Sequence, residues 1–142
     1  LASRGLGDVY KRQLRVGAEM AQRLRDGLHV ICVCLALEPW LGRINEVISY
    51  EHLRSEIEGE VRGKLALLAD RAEVGDYTCH IGDGQPVVAI ESVLDQLSSG
   101  LLVIGTHARK GVEAAILGNT AEMLLHDINT DVLVVPQPEH WQ

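Results

Sequence analysis

Phenylalanine is absent from this chain, and aromatic residues make up only 4% of it. The core must be built from Leu, Val, Ile and Ala. That composition suits parallel strands covered by helices better than an aromatic-rich β-sandwich. Long apolar runs are missing too. None approaches the ~18 residues that span a bilayer as a helix, so a membrane is not expected as a partner. The opening stretch LASRGLGDVYKRQ lacks the apolar segment of a secretory signal. Positive charge is in short supply. Lys and Arg number 13 against 20 Asp and Glu, for a formal net charge of −7, and such a surface repels nucleic acid and anionic lipid on average. Cysteine is scarce as well. Three residues, Cys32, Cys34 and Cys79, with no secretory signal, argue for reduced thiols and a cytoplasmic setting. With His80 they suggest a zinc set, but the C-x-C spacing has no matching second pair. Small thiols on buried strands are the commoner arrangement, and no metal is expected.

What remains is an ordinary globular composition, 46% apolar and 23% charged over 142 residues, enough for one domain without staples. Apolar spacing at Leu14, Ala18, Ala21 and Leu24 predicts a helix over 14–26, with Glu19 and Arg23 as an outer i,i+4 pair and Gly27 as its C-cap. The run LHVICVCLAL, 28–37, reads as a strand buried on both faces. Leu53, Ile57, Val61, Leu65 and Leu68 form one stripe of a long helix over 50–71. Residues 77–81 alternate and read as an edge strand. Asp83 or Gly84 caps the next helix, with Pro86 in its first turn and Val87, Ile90, Leu94 and Leu97 inward. Leu101–Ile104 is a short strand, Asn119 opens a helix to about His126, and Val132–Val135 is the last strand before Pro136. Residues 137–142 read as a tail. This alternation predicts an α/β fold with a doubly wound parallel sheet.

The informative segment is IGTHARKGVEAAILGNTAE, residues 104–122. Ligands of doubly wound sheets sit at the carboxyl ends of the strands. Gly105 lets the chain leave its strand closely, and Gly111 and Gly118 permit further turns. Asn119, with Glu122 three positions on, forms a capping box. The free N–H groups of a helix start bind anions, and Arg109 and Lys110 add charge-assisted contacts. The loop therefore has the parts of a phosphate cradle. It also has the parts of any strand-to-helix connection, and it is neither a P-loop nor a dinucleotide fingerprint.

Gly105-x-x-Ala108, then Gly111, then Leu117-Gly118-Asn119-Thr120-Ala121-Glu122, closing on Asp131-Val-Leu-Val-Val-Pro136, resembles the carboxyl half of the universal stress protein family. That family's nucleotide signature is Gly-x-x-Gly, nine residues, then Gly-Ser or Gly-Thr. The wording Gly-Asn-Thr-Ala-Glu is most similar to the second half of tandem, two-domain members. The resemblance covers residues 14–136, and the segment from Ile81 to Pro86 shares in it. It implies a non-enzymatic regulatory module of the stress response, with no catalytic residues. ATP or a related nucleotide would rest on the backbone of Gly105, Thr106, Gly111, Gly118, Asn119 and Thr120, with Arg109 or Lys110 on the phosphates. It also implies a homodimer, or pairing with a tandem domain, through Val132–Val135. Two departures point the other way. Ala108 stands at the second signature glycine, where a positive φ would cost Ala about 1–2 kcal/mol. Asn119 stands at the hydroxyl position. They favour the alternative, the same fold dimerising without nucleotide. A hydrolase using Asp83 and His107 is the third reading.

The family fold resembles β-α-β-α-β-α-β-α-β with strand order 3-2-1-4-5. Its central first strand, which ends in an adenine-contacting Asp, has no counterpart here. Residues 1–13 resemble translated adapter sequence and are expected to be a non-native leader, so Asp8 does not inherit the adenine role. Without the central strand the sheet should be fragile, or 8–11 should stand in as a strand.

Overall fold

The structure, a computed structural model, describes residues 6–34, 50–98, 100–105 and 119–135. Among these residues four helices and four strands alternate, beginning with a helix: α1 (Leu6–Leu24), β1 (His29–Cys34), α2 (Tyr50–Arg71), β2 (Thr78–Asp83), α3 (Pro86–Leu97), β3 (Leu101–Gly105), α4 (Asn119–Asp127) and β4 (Asp131–Val135). The strands pair in parallel, as the alternation requires, but as two separate two-stranded sheets, β1 with β2 and β3 with β4. Among the described residues no strand joins the two pairs. Residues 8–11 do not form one; they lie in α1, which begins eight residues before the helix expected at Leu14.

Each half has its own aliphatic core. Leu14 of α1 joins Leu65 and Ala72, with Val30, Cys32, Leu68, Val74, Tyr77 and Cys79 packed around them. Val87, Leu94, Leu102 and Leu124 form the second cluster, flanked by Ile90, Ile104, Ile128 and Val132. β1 was expected to be buried on both faces, yet residues 30–33 are half-buried. A strand with one neighbour leaves an edge that a central strand loses. The α2 stripe is buried chiefly at its carboxyl end, at Leu65, Ala69 and Ala72, while Leu53, Ile57 and Val61 are half-buried. Leu24, placed on the α1 stripe by spacing, is 58% exposed.

The helix ends also depart from the expected caps. α1 closes at Arg25, φ 54°, not at Gly27. The Asp26 N–H reaches the Ala21 carbonyl and the Arg25 N–H reaches that of Gln22, the Schellman pattern with a non-glycine residue in the left-handed position. α2 repeats it with Glu73, φ 57°, where Val74 donates to Ala69 and Glu73 to Asp70. At α3, Gln85 takes the N-cap place expected for Asp83 or Gly84. It makes no side-chain cap bond, and Pro86 follows in the first turn, where its missing N–H costs nothing. The Glu19–Arg23 pair forms as spacing predicts, at 2.7 Å.

Candidate functional site

The end of β3 is built from small and aliphatic residues. Its last residue, Gly105, stands in register with Val135 of β4, and at the other end Leu101 faces Asp131. The chain must therefore travel the full length of this sheet between Gly105 and Asp131. α4 lies on that return and packs on α3. Leu124, 1% exposed, fixes the helix by packing among Leu102, Val87 and Leu94. Glu122 occupies the first turn and His126 the last, the polarity the helix dipole favours. The helix begins at Asn119 itself, one residue earlier than a cap at that position implies.

Gly105 is held closely from the other side. A Cβ there would run into the side chain of Gln13, about two turns into α1. Sequence reading missed Gln13, because nothing local links two residues 92 positions apart. α1 packs on β3 and β4 as well as on α2, so residues expected to be foreign to the fold supply a wall of the strand end. Of the expected ligand set, Gly105 ends β3, and Asn119 and Thr120 open α4. Thr106, Arg109, Lys110, Gly111 and Gly118 lie outside the described residues, as do Ala108 and His107.

The β1–β2 end has a different chemistry. Asp83 stands in register with Cys34, and its carboxylate faces the Arg54 guanidinium of α2 at 3.5 Å, while Arg54 also donates to Glu58 at 3.0 Å. Gly84 follows at φ 88°, a conformation glycine adopts without strain. Asp83 thus holds α2 to the sheet. The expected zinc set does not gather. Cys32 and Cys79 pack into the core under Leu14 and Leu65, and His80, next to Cys79 in an extended strand, faces the opposite side. There it meets His29, with Nδ1 of His29 2.9 Å from Nε2 of His80. His80 titrates below the ordinary histidine value because burial penalises its charged form, with His29 and Arg62 adding repulsion. None of the described helices is long and apolar enough to cross a membrane.

Comparison with known proteins agrees with this architecture. A solved universal stress protein in complex with cAMP superposes with a TM-score of 0.64 over 90% of this chain and 89% of its own, at 20% identity. Universal stress protein E of Escherichia coli K12 is 36% identical over 86 residues, 58% of this chain and 27% of that protein. Its homolog in Haemophilus influenzae is 29% identical over 134 residues, 89% of this chain and 41% of that protein. The chain therefore spans less than half the length of these curated relatives. The model of the universal stress protein family matches residues 8–136, which includes all eight elements but the first two residues of α1. With both the fold and the family model in agreement, the chain belongs to the universal stress protein family.

Proposed function

We propose that this chain is a regulatory module of the stress response that binds a nucleotide by its phosphates, and that it acts by binding rather than by catalysis. What supports the reading is that β3 ends on Gly105 and α4 opens at Asn119 on the way to its parallel partner β4. Backbone N–H groups at a helix start, beside a strand end without a Cβ, suit an anionic group. The loop between them carries Arg109 and Lys110, which would neutralise phosphate charge. The relative solved with cAMP supports a nucleotide as the class of ligand, with ATP the form first expected. Val132–Val135 is the proposed dimer edge, and the cytoplasm the proposed compartment.

Isothermal titration of ATP and of cAMP against the chain tests the reading. Saturable binding abolished by Gly118→Val, with the circular dichroism spectrum unchanged, is the expected result. Ala108 and Asn119 favour a second reading, the same fold dimerising without nucleotide. No heat from either nucleotide, with a dimer in sedimentation, would establish that alternative.

A further inference from the structure

We propose that His29 and His80 form a surface chelate for a divalent transition metal of nitrogen preference, Ni(II) or Cu(II), that clips β1 to β2. The register places Ile31 opposite His80 and His29 opposite Thr78. Side chains two apart share a face, so the two imidazoles are diagonal neighbours on the face of the β1–β2 sheet opposite Cys32 and Cys79, near the amino ends of both strands. His29 is exposed and His80 half-buried. Their rings stand 5.1 Å apart between centroids, tilted by 32°, with the two facing nitrogens 2.9 Å apart.

That separation is what a metal needs. Two nitrogens bound at 2.0–2.1 Å on adjacent corners of a tetragonal site lie about 2.9 Å apart. Tetragonal nitrogen and oxygen sites select Cu(II) and Ni(II). Without metal the two nitrogens share one proton, since one ring must donate and the other accept; a metal ion would replace that proton. Arg62 opposes a metal cation, which weakens the site. No group of three or more His, Cys, Asp or Glu gathers among the described residues, so the other coordination positions go to water and the ion exchanges readily. The pairing is invisible to spacing rules, because the ligands come from two strands 51 residues apart.

The test is isothermal titration of Ni(II) into the untagged full chain, in a buffer without coordinating amines, read beside thermal melting. One equivalent should bind and raise the melting temperature. His29→Ala and His80→Gln should each weaken binding at least tenfold, since each turns a chelate into a single ligand, and should abolish the thermal shift. His52→Ala, on α2 and paired with Glu56, should change neither. His29 is exposed, so His29→Ala keeps the native circular dichroism spectrum. Single-equivalent binding that survives either pair variant would overturn the proposal, and so would an absence of saturable binding at millimolar Ni(II).

Discussion

The two half-sheets are built alike and fastened differently. β3–β4 is held by aliphatic packing, with Leu102, Leu124, Val87 and Leu94 in one cluster. β1–β2 also has an apolar cluster, but polar ties add to it. Arg54 meets Asp83, the Arg15 guanidinium donates to the Ala72 carbonyl at 3.3 Å, and His29 meets His80. The contrast shows where each half spends its chemistry. In β1–β2 the strand-end carboxylate is engaged with α2. In β3–β4 the strand end is a glycine, Gly105, in register with Val135.

The sharpest way to break this contrast is to cut into one core alone. Leu124→Ala removes the most deeply buried side chain and should cost about 2–5 kcal/mol. Hydrogen exchange should show the amides of β3 and β4 losing protection first. Equal loss in β1 and β2 would mean the halves unfold as one unit despite their separate ladders. A smaller effect is expected from Gly82→Val in β2. An added Cβ there would stand 2.7 Å from the Ala89 Cβ of α3 and 3.7 Å from Val33. Overpacking of this kind costs about 1–3 kcal/mol, and a lowered urea midpoint would measure it. The smallest effect is electrostatic. His80 has a folded pKa below its ordinary 6.5, so the unfolded chain binds a proton that the native chain refuses. Stability from this group is complete above that value and lost as pH falls through the folded pKa. The urea midpoint should drop between pH 7.5 and 5, by less in His80→Gln. An equal drop in the variant would place the acid sensitivity elsewhere.

The legible features were those written locally. α2 and α3 start and stop where their apolar spacing and Pro86 place them. The strands overlap the apolar runs read as strands, with β2 to β4 each one or two residues longer at one end, and α4 begins at Asn119. The errors come from competition that spacing cannot weigh. Arg25 takes the left-handed cap that spacing assigned to Gly27, and Glu73 takes the one that closes α2, because the closing hydrogen bonds fix the position. The stretch before Leu14 was expected to lie outside the fold, yet α1 starts at Leu6. Its tertiary neighbours, β3, β4 and α2, supply stabilisation that local propensity does not predict. At the site, Gly105 and Asn119 were readable as a strand exit and a helix start, whereas Gln13 against Gly105 was not.

The sequence alone determined the alternation of helix and strand, the aliphatic core and the family, because periodicity and glycine placement are local physical constraints. Only the tertiary structure decided that the ladder breaks into two parallel pairs, that Gln13 lies on Gly105 and that His29 faces His80. Those outcomes depend on register and on packing between residues far apart in the chain, and side-chain order along one segment carries no information about either.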